Sequence, residues 1–251
     1  MSIISFKNKF VFVKTKKVAG TSVEALLRKY TGDDDIVPAV TPRDEHYSAA
    51  QGDFSKNYLK VKENESVYTE FVMAGEYDKA VDFLSNQKKI AYSHMDYDYA
   101  ESLIVRYGYK PSDFYFFTID RHPYFWLLSS VLYNNSQYNS TGKVDLNIDV
   151  EKINASINRL LHQHDLSQKI NWSKYTKNNK VMVNKVVDYD YLELGLKEVF
   201  QVLGFSERKL TLPDLKKCSR HLDAFQLLSI LNKAEAQKAF AYVFKYMDYK
   251  Y

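Results

Sequence analysis

The sequence predicts an α/β protein, because three short apolar segments are each followed by a helical pattern. The segments are residues 10–13, 114–119 and 181–187, and they are rich in the β-branched and aromatic residues that buried strands favour. Strands that alternate with helices are typical of a central, mainly parallel sheet flanked by helices. The 251 residues contain no internal repeat and no recognisable linker, so we expect one domain spanning residues 1–251.

The amino-acid composition excludes several classes of function. Apolar residues make up 45% and charged residues 26% of the chain, as in ordinary globular proteins. The formal net charge of +4 favours an anionic ligand but falls short of the basic stripe of a nucleic-acid-binding protein. Cys218 is the single cysteine, which excludes an intrachain disulfide and a cysteine-based zinc cluster. Without a signal peptide or a membrane-length apolar window, the chain is expected to be cytoplasmic.

The turn between the first strand and the first helix has the composition of an anion site. Residues 14–22 contain three lysines, one glycine and three hydroxyl side chains. Gly20 would let the backbone approach a ligand closely, and Thr21 or Ser22 would cap the helix. A helix N-terminus attracts phosphate or sulfate through its unpaired N–H groups and its partial positive charge. An ordinary strand–turn–helix with a capping hydroxyl is an equally good interpretation of this stretch alone.

The same turn resembles the 5′-phosphosulfate loop of sulfotransferases, which is usually P-K-T-[AG]-G-T-S after an apolar strand. Residues 16–22 read K-K-V-A-G-T-S, and no Walker A pattern is present. Lys17 stands at the position of the family's catalytic lysine. Val18 replaces the first hydroxyl residue, which leaves phosphate contacts to Thr21 and Ser22. The cofactor-binding residues that the resemblance implies here are Lys16 (in place of the usual proline), Ala19, Gly20, Thr21 and Ser22.

The second apolar segment ends just before Arg121, and Pro123 suits the first turn of the helix that follows. An arginine fork and the hydroxyl of Ser129 would together hold a phosphate monoester. The segment resembles the family's 3′-phosphate motif, F-x-x-[IVL]-R-[ND]-P-x-x-R-x-x-S. Two positions differ: His122 stands where Asn or Asp is usual, and Trp126 replaces the second arginine.

His94 is a candidate general base. Residues 88–95 predict a short strand that runs into His94 and is followed by a helix. Ligands gather at the carboxyl ends of strands in open α/β sheets, and a pKa near 6.5 suits base catalysis. A lone histidine is more often structural. However, the order Ser-His-Met, helix, aromatic strand resembles the family's His-Met segment, which implies that His94 deprotonates the acceptor hydroxyl.

The remaining segments give coarser predictions. Glycine, proline and acidic residues predict a loop at 32–46, and weak periodicity predicts an irregular insertion near the substrate cleft at 47–75. A hairpin-like turn is predicted before the strand at 181–187. The final predicted helix should turn Ala239, Tyr242, Val243 and Tyr246 towards the core. Helices are predicted at 76–86, 150–161, 193–203 and 234–246.

Residues 212–220 resemble the family's L-P-x-x-N-x-S-x-R loop, which closes over the nucleotide. The resemblance implies that Ser219 and Arg220 contact the 3′-phosphate or the adenine edge, while Lys216 replaces the usual asparagine. These partial matches follow the family's order along the chain.

The resemblance as a whole is to carbohydrate-type sulfotransferases, related to heparan sulfate and chondroitin sulfotransferases. It implies a P-loop-like fold, 3′-phosphoadenosine 5′-phosphosulfate (PAPS) as donor, its bisphosphate (PAP) as product, a saccharide hydroxyl as acceptor and no metal. Two alternatives remain open. One is a small-molecule kinase that uses ATP and Mg²⁺, with Asp120 as the metal ligand; the other is a non-catalytic nucleotide- or glycan-binding module.

Overall fold

The computed structural model describes residues 2–135, 149–205, 212 and 223–250. Ser219 and Arg220 therefore lie outside the described residues. The described strands form a four-stranded sheet in the order β1-β2-β3-β6 and a separate hairpin, β4-β5. Their bounds are β1 Ile3–Ser5, β2 Phe10–Val13, β3 Tyr115–Asp120, β4 Thr176–Lys177, β5 Lys180–Val181 and β6 Lys185–Asp188.

The main sheet is mixed. Strands β2, β3 and β6 run parallel, as the sequence predicts, and β1 pairs antiparallel with β2, which the sequence does not predict. Val13 pairs with Thr118, and Asp120 pairs with Asp188, so the carboxyl ends of the parallel strands lie side by side. The Thr118 hydroxyl donates to the Val13 carbonyl at 2.6 Å. These contacts bring the segments that follow the three strands to one edge of the sheet.

Helices surround this sheet, and those predicted at 76–86, 150–161 and 193–203 are confirmed to within two residues at each end. In the β4-β5 hairpin, Asn178 and Asn179 have φ of 48° and 59°, the left-handed pair that favours a two-residue turn. The α-helices are α1 Gly20–Arg28, α2 Pro42–Ala49, α3 Glu63–Met73, α4 Tyr77–Ser85, α5 Tyr97–Arg106, α6 Pro123–Asn135, α7 Val150–Leu161, α8 Leu166–Lys169, α9 Trp172–Tyr175, α10 Leu192–Val202, α11 Ala224–Leu227, α12 Ile230–Ala239 and α13 Ala241–Met247.

Alternate residues of the strands enter two separate apolar cores. Val11 and Phe116 face a large cluster that includes buried residues of α3, α5, α6, α7 and α13. Phe12 and Phe117 face a smaller cluster built with α1 and α10. Because both faces of the sheet are covered, β2 and β3 are nearly continuous apolar runs, which is the signal that identifies them in the sequence. No helix in the described ranges is long and apolar enough to cross a membrane.

The prediction of a strand at 88–95 is wrong. An isolated bridge joins Lys89 to Leu59, and His94 lies in a turn. The Tyr58 carbonyl accepts from the amides of Ile90 and Ala91, so this segment pairs with the irregular chain around Tyr58 and not with a strand of the main sheet.

Two predictions for residues 32–75 are also wrong. The expected loop at 32–46 ends earlier, because Pro42 begins α2. The expected irregular insertion contains α3. Its periodicity is weak because a polar residue, Glu65, occupies a buried position, where its carboxylate accepts from the backbone amides of Tyr58 and Leu59 at 2.6 and 2.8 Å.

The helix predicted at 234–246 is divided at Phe240 into α12 and α13. The break changes the buried face: Phe240, Val243 and Phe244 are buried, whereas Tyr242 and Tyr246 are 53% and 49% exposed. The expectation that both tyrosines face the core is therefore wrong.

The contact between α10 and β6 gives a stability prediction. A Cβ added at Gly195 would lie 2.5 Å from Val187 Cγ1, and the Val187 side chain is buried and β-branched. We expect Gly195→Ala to lower the free energy of unfolding by about 1–3 kcal/mol through overpacking, despite the better helix propensity of alanine. Urea unfolding measures this. Leu194→Ala, at a neighbouring position that is 59% exposed, is the control and should change stability by less than about 0.5 kcal/mol. Equal losses in the two variants would contradict the packing described here.

Candidate functional site

A cleft of about 930 Å³ opens at the edge where the three parallel strands end. Residues 14–22 follow β2, Arg121 follows β3 and Tyr189 follows β6, and all three segments line it. Ser219 and Arg220 are not described, but every other site residue predicted from the sequence lies in this cleft: Lys16, Lys17, Ala19, Gly20, Thr21, Ser22, His94, Arg121 and Ser129.

The loop before α1 presents a helix N-terminus to the cleft. The helix begins at Gly20, and Ala19 is its N-cap residue, without a side-chain cap. Thr21 and Ser22 lie inside the first turn, so their predicted capping role is wrong. The Ala19 carbonyl accepts from the amides of Ser22 and Val23 at 3.0 and 3.2 Å. The amides of Gly20 and Thr21 precede these bonds, in the positions where helices bind anions.

Gly20 contacts a buried side chain as well as lining the cleft. A Cβ there would lie 2.7 Å from Lys14 Cε, so the glycine lets the Lys14 side chain pass against the helix start. Lys14 Nζ is 3.1 Å from the buried carboxylate of Glu24 in α1. Glu24 also pairs with Arg28, and Arg28 with Glu45, so a buried ion-pair network fixes α1 behind the loop.

Val18 stands where the resembled loop motif has a hydroxyl residue, and it packs in the core. Its side chain is fully buried in the smaller apolar cluster. Lys17 and Ala19, on either side, have φ of 64° and 54°. These left-handed residues turn the chain sharply, so that Val18 enters the core while Lys17 stays at the cleft. Val18 therefore contributes to the packing under the loop.

Lys17 lies between the two strand tips. Its Nζ is 3.3 Å from the ring centroid of Tyr133 in α6, a cation–π contact. Its carbonyl accepts a hydrogen bond from Arg121 Nη1 at 3.1 Å. The loop after β2 and the residue after β3 are therefore in direct contact, although 104 positions separate them in the chain.

Arg121 is a buried cation with an unsatisfied donor. The residue is 8% exposed, its guanidinium is 4.3 Å from the Tyr189 ring centroid, and its Nε has no hydrogen-bond partner. Burial lowers the pKa of Arg121, but arginine remains charged at neutral pH. The buried indole N–H of Trp126, another cleft residue, also has no partner. Unpaired buried donors are unfavourable, so these two cleft residues are each left with an unsatisfied polar group.

Asp120, the residue before Arg121, is turned away from the cleft. Its carboxylate accepts from the Tyr175 hydroxyl at 2.6 Å, from Asn171 Nδ2 at 2.9 Å and from the Arg121 amide at 2.9 Å. Burial raises the pKa of Asp120 to about 6, although these hydrogen bonds oppose the rise. Asp120 is fully enclosed and does not line the cleft, which argues against its role as a metal ligand.

Asn171 joins this carboxylate to the loop. Its Oδ1 accepts from the Lys16 amide at 2.8 Å, and its Nδ2 donates to the Lys16 carbonyl at 3.0 Å as well as to Asp120. Sequence reasoning did not identify this residue. Its partners are 155 and 51 positions away, so no local pattern marks it.

His94 is held in one tautomer. Its Nδ1 is 3.1 Å from the Lys14 carbonyl, and because a carbonyl only accepts, Nδ1 carries the hydrogen and Nε2 has the lone pair. Ser2 fixes the turn by donating from its amide to the Ser93 carbonyl and from its hydroxyl to the Met95 carbonyl. Burial, together with nearby positive charges that include Lys14, lowers the pKa of His94 to about 3.

His122 has a structural role. Its Nε2 donates to the Lys250 carbonyl at 3.0 Å, and its Nδ1 accepts from the Tyr124 amide at 3.2 Å. The ring packs among aromatic side chains that include Phe225 and Phe244, and burial lowers its pKa. This histidine anchors the end of the chain to α6 and does not line the cleft.

The cleft rim is basic. Lys89 and Lys169 line it together with Lys16, and Asp44 is the one acidic side chain in the described lining. Burial and the neighbouring Lys174 and Lys169 lower the pKa of Lys16, which indicates a concentration of positive charge. Sequence reasoning missed several lining residues, namely Lys89, Trp126, Tyr133, Lys169 and Tyr189. The region expected to shape the cleft at 47–75 does not line it; Ala39 to Pro42 and Asp44 do.

Among the described residues, no group of three or more His, Cys, Asp or Glu side chains is arranged to hold a metal ion. Comparison of the chain with family models, with curated proteins and with solved structures finds no match. We therefore infer a function from the chemistry of the cleft.

The lowered pKa of His94 predicts a pH dependence of stability. An unfolded histidine binds a proton below about pH 6.5, whereas folded His94 stays neutral until about pH 3. Between these values the unfolded state binds more protons, so stability falls as pH falls, by at most about 1.4 kcal/mol per pH unit for one group. In His94→Gln we expect a shallower fall between pH 6.5 and pH 4, measured by urea unfolding at each pH. The exposed His164→Gln should retain the wild-type slope, and an unchanged slope in His94→Gln would refute the assignment.

Proposed function

We propose that this protein is a sulfotransferase that moves a sulfuryl group from PAPS to an acceptor hydroxyl. The observation that carries the proposal is the contact between two cationic strand tips in one cleft, where Arg121 Nη1 meets the Lys17 carbonyl at 3.1 Å. PAPS carries an anionic group on both the 5′ and the 3′ position of one adenosine, so its binding requires two neighbouring anion sites. The proposed fold is the P-loop-like sulfotransferase fold, supported by the strand–loop–helix order of β2 and α1.

The residues of the cleft fit this donor. Arg121 is a buried cation whose Nε lacks a partner, and Ser129 lies in the same cleft two turns into α6, so both suit the 3′-phosphate. Lys17 and the first amides of α1 suit the 5′-phosphosulfate. The donor supplies the sulfuryl group that is transferred.

The mechanism assigns one task to each residue. His94 Nε2, the ring nitrogen with the lone pair, accepts the proton of the acceptor hydroxyl as its oxygen bonds to sulfur. Lys17 and the amides of Gly20 and Thr21 stabilise the charge that develops on the 5′-phosphate as the bond between sulfur and the bridging oxygen breaks. The pKa of His94 is about 3 in the ligand-free protein, and anionic groups bound beside it would raise that pKa towards the working range.

The proposed acceptor is a saccharide. The cleft, at about 930 Å³, has room for groups beyond a nucleotide, and the side nearest α2 and α4 offers the polar groups of Thr41, Asp44 and Ser85. Ser93 and Lys89 add further hydrogen-bonding groups close to His94 along the chain. Such side chains suit the hydroxyls of a sugar.

The alternatives have less support. A kinase would need an acidic metal ligand at a strand tip, and Asp120 is instead enclosed by Tyr175 and Asn171. A degenerate binding module is suggested by three departures from the family's motifs, at Lys16, Val18 and His122. Val18 and His122 have structural roles outside the phosphate contacts, so their presence does not indicate a lost activity.

The test of this function is transfer of labelled sulfate from PAPS to a panel of mono- and oligosaccharides. For an accepted saccharide, Lys17→Ala should lower the turnover number about 10²–10³-fold, because one donor to the transition-state charge is lost. Lys180→Ala, at an exposed hairpin position, is the matched control and should behave like the wild type. Near-normal turnover in Lys17→Ala would remove the lysine from this role, and no transfer to any acceptor by the wild type would refute the proposed function.

A further inference from the structure

Asn171 is 3% exposed, and its amide makes three hydrogen bonds that join the loop to the strand tip. Two of them pair with both backbone groups of Lys16, as a neighbouring strand would do. The adjacent Lys17 carbonyl is held by Arg121. Two consecutive loop residues are thus held at the end of β3, Lys16 through Asn171, which contacts Asp120, and Lys17 through Arg121.

The loop conformation needs such attachment. Lys17 and Ala19 both adopt left-handed backbone angles, which are unfavourable for residues with a side chain. Residues in such conformations persist only where their surroundings hold them, at a cost of order 1–3 kcal/mol each. The Lys16 side chain is only partly enclosed, so it offers little packing to hold the turn, and the contacts of Asn171 with the Lys16 backbone provide the restraint on this side.

We propose that Asn171 is a positioning residue that holds the loop in its anion-binding conformation, so that the amides of α1 and Lys17 are in place before the donor arrives. The inference rests on the proposed function and extends it to a residue that does not itself touch the ligand. A preformed site loses less conformational entropy on binding, which raises affinity. The amide of Asn171 is therefore expected to contribute to donor binding from outside the cleft.

The chemistry of this position requires an amide. One atom must accept from the Lys16 N–H, while the other must donate both to the Lys16 carbonyl and to the Asp120 carboxylate. An aspartate at 171 would keep the acceptor but place a second carboxylate against Asp120. The other ionisable groups facing Asp120 are Tyr175, Asp188, Tyr249 and the Arg121 guanidinium, so a single buried cation would face the three carboxylates of the variant. A proton shared between the two carboxylates would relieve their repulsion and replace the hydrogen bond to Asp120, although not the one to the Lys16 carbonyl.

The first experiment uses Asn171→Ala. Hydrogen exchange of a peptide covering residues 14–22 should accelerate about 10-fold in the ligand-free variant, while peptides of β3 keep their protection. The dissociation constant for adenosine 3′,5′-bisphosphate, measured by calorimetry, should rise about 10-fold through the loss of the loop hydrogen bonds. Unchanged exchange in the loop would overturn the proposal.

The second experiment uses Asn171→Asp, and its readout is a pH profile. Relative to the wild type at each pH, bisphosphate affinity should be reduced about 10-fold or more at pH 8 and should recover towards wild type near pH 6, as the carboxylate pair gains a proton. Comparison at each pH removes the titration of the ligand's own phosphates. Asn158→Asp, with the same charge change at an exposed position on α7, should match the wild type throughout. A pH-independent ratio for Asn171→Asp would contradict the positioning role.

Failure of this inference differs from failure of the proposed function. If the wild type does not bind the bisphosphate, the proposed function is refuted, and the loop exchange of Asn171→Ala still decides whether Asn171 holds the loop. If the wild type binds and both Asn171 variants bind equally well at every pH, the inference alone fails. Thermal melting of each variant verifies that it is folded, and the alanine variant carries the test if the aspartate variant does not fold.

Discussion

The arrangement of the cleft depends on the parallel pairing of β2 with β3. Parallel strands end at the same edge of a sheet, so the segments that follow them must meet even when they are far apart in the chain. Here the pairing brings Lys17 and Arg121 into contact, and β6 adds Tyr189 at the same edge. The cationic character of the cleft follows from this topology, because no single segment contains all of its charges.

The buried charges near the carboxyl ends of the parallel strands are of two kinds. Behind the loop, Lys14, Glu24, Arg28 and Glu45 form a network in which each buried charge has a partner. Such networks are weak sources of stability but become strongly unfavourable when one partner is removed, so they fix geometry. In front of it, Arg121 keeps an unpaired Nε. The contrast between a satisfied network and an incomplete donor set distinguishes the structural charges from the cation that we propose binds the donor.

The sequence identified the strands and the site residues that have local signals. Strand β3 and the helix after it are marked by a dense apolar run that ends at Arg121 and by the proline that follows. Gly20 and the lysines around it mark the loop. These features depend on short-range chemistry, which is visible along the chain.

The features that the sequence did not predict depend on distant contacts. The role of Asn171 is apparent only in the folded protein, where Asp120 at the end of β3 lies beside it. Glu65 resembles a surface residue in the sequence, although it is buried and satisfies the amides of residues 57–59, and this conceals the periodicity of α3. The apolar neighbours of His94 predict a strand that ends at this histidine, whereas the Ser2 contacts hold it in a turn. Secondary-structure propensity and hydrophobic periodicity carry no information about such long-range hydrogen bonds.

The most direct test of the account is a crystal structure of the protein with adenosine 3′,5′-bisphosphate. The account predicts the 5′-phosphate at the loop formed by residues 17–22 and the 3′-phosphate within hydrogen-bond distance of the Arg121 guanidinium. A nucleotide bound elsewhere, or one whose two phosphates both avoid Arg121, would contradict it.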